Sequence, residues 1–356
     1  MAPAMTLKTD GLRDFLTTLI HTPSGCKISD FVTSVGVEGD TLRVIFESPQ
    51  DQLQMAESLR SYTELQLKQQ FSNSKILCAL VAQKPIKKAT KILPEVNDII
   101  AVASGKGGVG KSTTTVNLAI ALTQLGYKVG ILDADIYGPS LPTMMGLSGK
   151  PDVTSDKKLI PMQAYGISCM SIGFLIPSDT PMVWRGPMVQ GALMQLLKDV
   201  AWGSLDLLLI DMPPGTGDVQ LSLAQQASLS GAVIVSTPQD IALIDARKGL
   251  AMFEKVAVPT LGIIENMSVF RCPNCGHESH IFSHGGAKTT ATELKVPFLG
   301  EIPLRLTIRQ GADAGQPETI ACPKGEIAQL YQDIAIKILE NLGQSAREAP
   351  RINIMD

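Results

Sequence analysis

The sequence of 356 residues contains no run of 18 or more apolar residues, the length that a membrane-spanning helix requires. Its opening stretch, MAPAMTLKTDGLRDF, also has no apolar segment of the signal-peptide type. These absences argue against a membrane protein and against secretion. We therefore expect a cytoplasmic protein with no membrane partner.

Positive charge is not in excess either. The formal net charge is −3, whereas neutralising the phosphates of a nucleic acid requires clustered lysine and arginine. We therefore expect no nucleic-acid partner. Hydrophobic residues make up 44% of the chain, which is ample for the core of one large domain and one small one.

Cysteine is sparse and scattered, which favours free thiols in a reducing compartment and a metal site only where two cysteines lie close together. The CxxC spacing occurs once, at Cys272 and Cys275 in RCPNCGHESH. Four other cysteines are most simply small structural residues with no assigned role: Cys26, Cys78, Cys169 and Cys322.

The pattern of apolar residues divides the chain into two regions. Residues 1–82 predict a small α+β domain in the order helix, strand, strand, helix, strand. Residues 83–97, with four lysines and two prolines and no clear period, predict a linker. We expect the main domain over 98–345 and a polar tail over 346–356.

The main region alternates short apolar runs with longer helical stretches. Runs such as DIIAVAS, KVGILDAD, LDLLLIDMP, GAVIVSTP and TLGIIEN are continuous rather than alternating, which is typical of strands buried on both faces. This arrangement predicts an α/β domain with a doubly wound, mostly parallel sheet.

A phosphate-binding motif, GKGGVGKST, follows the strand predicted at Ile99–Ser104 and leads into a helix. Glycines let such a loop direct its backbone N–H groups at phosphates, the lysine reaches the β and γ phosphates, and the hydroxyl binds Mg²⁺. The motif predicts a nucleotide site formed by Gly105, Lys106, Gly107, Gly108, Val109, Gly110, Lys111, Ser112 and Thr113.

Carboxylates end two of the other predicted strands. LLLIDMPPGTGD ends a strand at Asp211, where an acidic residue of the Walker B type would hold Mg²⁺ with Ser112, and Gly215 would offer an N–H near the γ phosphate. ILDADIYGPS places Asp133 and Asp135 at another strand end. Carboxylates around phosphates indicate a cation or an attacking water beside them.

These motifs together resemble a known family. The additional Lys106 in GKGGVGKST is similar to the deviant Walker A motif of the SIMIBI class of P-loop NTPases, which includes MinD, ParA and nitrogenase iron protein. Within that class, LDADIYGPS, WRGPM, DMPPGTGD, STPQD, ENMS and CPNCG resemble the Mrp/ApbC family of iron–sulfur cluster carrier ATPases, over about residues 95 to 340. The first region resembles the small MIP18-type domain often fused ahead of it, without the cysteine that such domains often carry.

The resemblance implies further roles. Lys106 would reach the nucleotide of a partner chain across a homodimer interface, and Asp135 would orient the attacking water. Asp133 would support the Mg²⁺ shell, and Asn266 would contact the adenine. The expected cofactors are ATP, Mg²⁺ and an iron–sulfur cluster, and the expected partners are a second copy of the chain, apo iron–sulfur proteins and a cluster assembly scaffold.

The single CxxC fits such a cluster if two chains share it. A 4Fe–4S cluster commonly takes four thiolates, and two chains related by a two-fold axis would supply four from Cys272 and Cys275. Two alternatives remain open at this point. One is a Cys₂His₂ zinc site with His277 and His280, with His284 as another candidate ligand, and the other is a redox dithiol.

Two other functions remain open from the sequence. One is a positioning or partitioning switch like MinD or ParA, in which the CxxC would hold a structural zinc. The other is a metabolic kinase that uses the same phosphate loop. We also expect slow turnover, because no arginine finger or catalytic glutamine is evident, and Arg185 is a candidate for signalling between sites.

Overall fold

The computed structural model describes residues 9–21, 26–38, 40–48, 53–72, 74–82, 92–176 and 186–345. The chain forms two compact units, Met1–Thr90 and Lys91–Asp356, which are described separately here. In the described residues no helix is both long and apolar enough to cross a membrane.

The first unit packs helices against a small sheet. Its described elements are α1 (Thr9–Thr18), β1 (Ile20–His21), β2 (Cys26–Lys27), β3 (Val32–Glu38), β4 (Thr41–Ser48), α2 (Leu53–Gln70) and β5 (Lys75–Ala82). Strands β3 and β4 form an antiparallel hairpin, and β5 pairs parallel with β4. Alternate residues of β4, Leu42, Val44 and Phe46, are buried in its core. The predicted α+β order is confirmed, with the short pair β1–β2 in addition.

The second unit is a sheet covered by helices. Its strands in the described residues are β6 (Val96–Ala103), β7 (Val129–Asp133), β8 (Met162–Ala164), β9 (Ile167–Ser171), β10 (Leu205–Asp211), β11 (Gly231–Ser236), β12 (Thr260–Arg271), β13 (Glu278–Ser279) and β14 (Phe298–Leu304). Its helices there are α3 (Lys111–Gln124), α4 (Leu141–Met144), α5 (Gly186–Lys198), α6 (Asp218–Gln226), α7 (Asp240–Lys255), α8 (Gly286–Leu294), α9 (Leu306–Asp313), α10 (Glu318–Ala321) and α11 (Glu326–Ser345).

The strand order in the described sheet is β13-β12-β11-β6-β10-β7-β9-β8, with β14 also paired to β12. All neighbouring pairs are parallel except β8–β9 and β12–β13. Strands β7 and β11 are buried along their whole length, which explains their continuous apolar sequences. The predicted doubly wound, mostly parallel α/β fold is confirmed. In such a sheet, ligand sites lie beyond the carboxyl ends of the strands.

Strand β6 differs from the prediction at its start. It begins at Val96, so the last two residues of the predicted 83–97 linker belong to the sheet, and it ends at Ala103 rather than Ser104. Val96 is 1% exposed and pairs with Leu205 of β10. Its burial therefore extends the strand to Val96, although polar residues follow it.

Strand β12 contains an irregularity near its carboxyl end. Between Asn266 and Phe270 it advances four residues, while β14 beside it advances two, from Ile302 to Leu304. Met267 within this bulge has a φ of 58°, a left-handed conformation that is uncommon for a residue with a side chain.

Candidate functional site

The GKGGVGKST loop lies between the end of β6 and the start of α3. Gly108 and Gly110 have φ values of 83° and 80°, a region that glycine enters without the steric cost that a Cβ brings. A Cβ on Gly110 would lie 2.2 Å from Nδ2 of Asn266, and one on Gly105 would lie 2.2 Å from the backbone carbon of Asp245. The glycines therefore permit both the curl of the loop and its close packing.

Lys111, the first residue of α3, forms a buried ion pair. Its Nζ donates to Oδ1 of Asp211 at 2.6 Å, and the two side chains are 6% and 5% exposed. The same ammonium lies 3.3 Å from Oγ of Ser112, and the hydroxyl of Thr115 donates to Oδ1 of Asp211 at 3.0 Å. The phosphate-loop lysine and the strand-end carboxylate, which are 100 residues apart in the sequence, lie together.

Asp133 is fully buried at the end of β7, and its position pairs with Asp211 on β10. Burial raises the pKa of the Asp133 carboxyl, and the negative charge of Asp211 raises it further. Its two oxygens accept hydrogen bonds from four donors: the N–H groups of Asp135, Ser140 and Leu141 and the hydroxyl of Ser171. The side chain is fixed in position by these bonds.

Asp135 lies beside a cavity of about 270 Å³ that Tyr137 and Pro214 also line. Partial burial raises the pKa of its carboxyl, while the positive charge of Lys111 opposes that shift. The N–H of Gly215, which the sequence suggested for a γ phosphate, instead donates to the carbonyl of Ser104 at 3.0 Å. Gly215 has a φ of 99°. In this turn its N–H is already hydrogen-bonded to the backbone of the same chain.

Lys106 is half-buried and contacts its own chain. Its Nζ lies 3.5 Å from Oε1 of Gln239, in the STPQD segment that follows β11, and its carbonyl accepts from the hydroxyl of Ser104 at 2.9 Å. Lys106, the additional lysine of the motif, thus lies at the same edge of the sheet as the rest of the site.

A cavity of about 500 Å³ opens beside the loop, and Gly110, Thr113 and Asn266 line it. The amide of Asn266 is 7% exposed and donates to the carbonyl of Val109 at 2.8 Å, so its Nδ2 is committed to the loop. Three residues that the sequence predicts for the nucleotide site, Gly110, Thr113 and Asn266, line this cavity. The sequence did not predict that the end of β14 and the residues after it line the cavity too: Pro303, Leu304, Arg305, Ile308 and Arg309. No motif in that segment indicates the role.

The CxxC lies in a tight turn directly after β12. The N–H of Cys272 donates to the carbonyl of His277, and the N–H of Gly276 donates to the carbonyl of Cys272, both at 2.9 Å. Cys272 is half-buried and Cys275 is exposed. Backbone N–H groups of Cys275 and then Asn274, with the Cys275 thiol, lower the pKa of the Cys272 thiol. The turn presents two thiols, and its hydrogen bonds lower the pKa of one of them, Cys272.

The cysteines have no further ligand assembled around them in the part of the chain that the structure describes. The described group of three or more potential ligands with donor atoms within 4.8 Å of one another consists of Glu265, His284 and Glu301. His280 instead stacks near His284, with ring centroids 4.5 Å apart. Arg185 lies outside the described residues.

Comparisons with known proteins agree with this geometry. Residues 95–339 match a family model described as ParA, NUBPL iron-transfer P-loop NTPase. An iron–sulfur cluster carrier protein of Pseudomonas fragi is 55% identical over 246 residues, covering 68% of this chain and 86% of the relative. The iron–sulfur cluster transfer protein NUBPL of Mus musculus is 52% identical over 268 residues, covering 75% and 82%.

A solved structure is also similar. It is a nucleotide-binding protein of Archaeoglobus fulgidus in complex with ADP and with Co, and it is 40% identical with a TM-score of 0.59. The alignment covers 68% of this chain and 97% of that one. The match of the family model over most of the chain, and relatives above 50% identity, confirm the resemblance stated from the motifs. The chain belongs to the ParA-like family of NUBPL-type iron-transfer P-loop NTPases.

Proposed function

We propose that the protein is an ATP-binding, slowly hydrolysing homodimeric carrier that holds an iron–sulfur cluster through Cys272 and Cys275 of each chain and transfers it to apoproteins. The observation that carries this proposal is the exposed CxxC turn at the end of β12, the strand that also carries Asn266 of the nucleotide cavity. The names of the relatives, cluster carrier and cluster transfer protein, support the cargo.

The phosphate loop would bind the nucleotide. The backbone of 105–110 and the amino end of α3 present N–H groups to the phosphates, and Lys111 exchanges its contact with Asp211 for the β and γ phosphates. Bound Mg²⁺, held by Ser112 and Asp211, would neutralise the charge that develops between those phosphates. The cavity beside Asn266 is large enough for the base.

Hydrolysis would use the carboxylates at the adjacent strand ends. Asp135 lies within range of the charges of Lys111 and Asp211, so it can orient a water near the γ phosphate. Asp133, fixed by four donors, would hold the turn that carries Asp135. Lys106 would leave Gln239 to contact the nucleotide of the second chain.

The cluster would be bound as cargo by two chains. Each turn offers two thiols, and the lowered pKa of Cys272 favours the thiolate that binds iron. Four thiolates around one 4Fe–4S cluster require a homodimer. A cluster held between two exposed turns is accessible to an apo acceptor protein, as a carrier requires.

The test is anaerobic reconstitution with iron and sulfide, followed by metal analysis and light scattering. We expect about two irons per chain in a dimer, lost in Cys272→Ser and in Cys275→Ser with ATP binding retained. Cys322→Ser, which changes another exposed cysteine, is the matched control and should bind iron normally. Iron binding at the parental level in both CxxC variants would refute the proposal. One zinc per chain that both CxxC variants lose, and that iron does not replace in the parent, would instead favour the positioning-switch function.

A further inference from the structure

We propose that Glu265, His284 and Glu301 form a binding site for one divalent first-row transition-metal cation, separate from the phosphate loop and from the CxxC turn. The three side chains come from β12, from the segment before α8 and from β14. Their donor atoms, one from each residue, all lie within 4.8 Å of one another.

The distances suit a shared ion better than direct contacts. Nδ1 of His284 lies 3.9 Å from Oε2 of Glu301, which is too far for a hydrogen bond. Two ligand atoms that each lie about 2.1 Å from one cation are separated by at most about 4.2 Å. The side chains of His284 and Glu301 are 47% and 33% exposed, so both have room to close on an ion while Glu265 stays in place.

Two carboxylates face each other on the neighbouring strands β12 and β14. Glu265 and Glu301 are direct partners in the parallel pair β12–β14, so their side chains lie on the same face of the sheet. Like charges placed directly opposite on neighbouring strands are destabilising. Among the residues that the structure describes, neither carboxylate pairs with a lysine or an arginine, and the basic side chain beside Glu301 is the imidazole of His284. A divalent cation would remove this repulsion.

Glu265 is held rigidly for such a role. It is fully buried, Oε1 accepts the N–H of Gly285 at 2.9 Å, and Oε2 accepts the N–H of Ala287 at 2.7 Å. Each carboxylate oxygen has a second lone pair, so both oxygens can still bind a metal. Hydrogen bonds that orient a metal-binding carboxylate are a common feature of metal sites.

The donor set indicates the class of ion. One imidazole nitrogen with carboxylate oxygens suits Zn²⁺, Fe²⁺, Co²⁺ or Mn²⁺ better than Mg²⁺ or Ca²⁺, which prefer oxygen ligands alone. His280, stacked on His284, is the neighbouring imidazole. Sequence analysis treated these histidines only as candidates for zinc with the cysteines, because no spacing links Glu265 to Glu301.

The experiment uses the full chain with Cys272→Ser and Cys275→Ser, which removes the competing thiolates. Equilibrium dialysis against Zn²⁺ in excess Mg²⁺, followed by metal analysis, should give one zinc per chain. Adding His284→Asn or Glu301→Gln should raise the dissociation constant by about tenfold or more. His277→Asn, which changes an exposed histidine of the same segment, should leave it unchanged. Glu265 is not substituted, because its carboxylate also binds the first turn of α8.

Thermal unfolding gives a second readout. Zn²⁺ should raise the unfolding midpoint of the chain with Cys272→Ser and Cys275→Ser and should not raise it when His284→Asn or Glu301→Gln is added, and the midpoints of these variants without zinc should match that parent. Absence of bound zinc in the chain with Cys272→Ser and Cys275→Ser would overturn the proposal. Zinc binding that His277→Asn weakens, and that His284→Asn and Glu301→Gln do not, would assign the ion to the neighbouring loop and overturn it as well.

Discussion

At the scale of single residues, the contact between Lys111 and Asp211 governs the site. Both side chains are almost fully buried, so each charge depends on the other. Removing one partner of a buried ion pair costs about 3–5 kcal/mol, because the remaining charge is left without compensation. The lysine that we propose for phosphate binding therefore also stabilises the fold around the loop.

We predict that Lys111→Ala abolishes ATP binding and also lowers the free energy of unfolding by a few kcal/mol, about 3–5 on the scale for buried pairs. Adding Asp211→Asn should recover most of the stability but not the binding. Fluorescent-nucleotide titration and urea denaturation measure the two effects. Lys248→Ala, which breaks an exposed ion pair with Asp245, should change stability by less than about 1 kcal/mol. Parental ATP affinity in Lys111→Ala would contradict the role given to the lysine.

Cysteine reactivity provides a second prediction at this scale. The pKa of Cys272 is lowered by backbone N–H groups, whereas burial raises the pKa of Cys78 to about 11 and of Cys169 to about 12. Because the thiolate is the reactive form, the cluster-free chain should be alkylated at Cys272 with a half-maximal pH below about 8.5, the ordinary value. Mass spectrometry of iodoacetamide-treated protein at several pH values measures this. Cys78 and Cys169 serve as internal controls and should react last; equal rates at all three would contradict the hydrogen-bonded turn.

At the scale of elements, the shape of the phosphate loop depends on where its glycines meet other backbone. A Cβ on Gly105 would overlap the backbone of Asp245 in α7, while the nearest atom to a Cβ on Gly107 would be 4.0 Å away, in Pro214. Of these two glycines, Gly105 is therefore required by close packing, whereas Gly107 has room for a Cβ.

We predict that Gly105→Ala displaces α7 from the loop and lowers the free energy of unfolding by about 1–3 kcal/mol, the usual cost of overpacking. Gly107→Ala is the matched control and should unfold within about 0.5 kcal/mol of the parent. Urea denaturation monitored by circular dichroism compares the two. Equal stability of both variants would show that α7 moves away at little cost.

The elements also show how far sequence reasoning reached. Local patterns predicted the α/β fold, the loop after β6 and the carboxylates at the ends of β7 and β10, because the ends of parallel strands meet at one edge. They did not predict that the end of β14 and the segment after it line the cavity beside Asn266. They also did not predict that Glu265 and Glu301 are neighbours. That pairing depends on the register between β12 and β14, which no local spacing encodes.

At the scale of the whole molecule, each of the two units has its own main hydrophobic core among the residues that the structure describes. The cluster around Leu12, Phe46 and Leu59 belongs to the first unit, and the much larger cluster around the main sheet belongs to the second. Every residue of the nucleotide loop, the carboxylate group and the CxxC turn lies in the second unit.

We therefore predict that a chain beginning at Lys91 folds and binds ATP within about twofold of the full chain, a difference of less than about 0.5 kcal/mol. Its iron content after reconstitution should also be unchanged. Calorimetric ATP titration and metal analysis of both chains measure this, and the full chain with Cys322→Ser controls for handling of exposed thiols. A tenfold loss of ATP affinity would show that the first unit contributes to the site.

The bulge in β12 has a consequence for the reach of the chain. Beside β14, the strand uses four residues to cover a span that its neighbour covers in two, and Met267 takes up the difference. At about 3.3 Å per residue, the two extra residues correspond to about 7 Å of additional chain between the cavity beside Asn266 and the CxxC turn. If the bulge straightened, the chain on the side of Cys272 would extend by this length, while the pairs between β12 and β14 before Asn266 would stay in register.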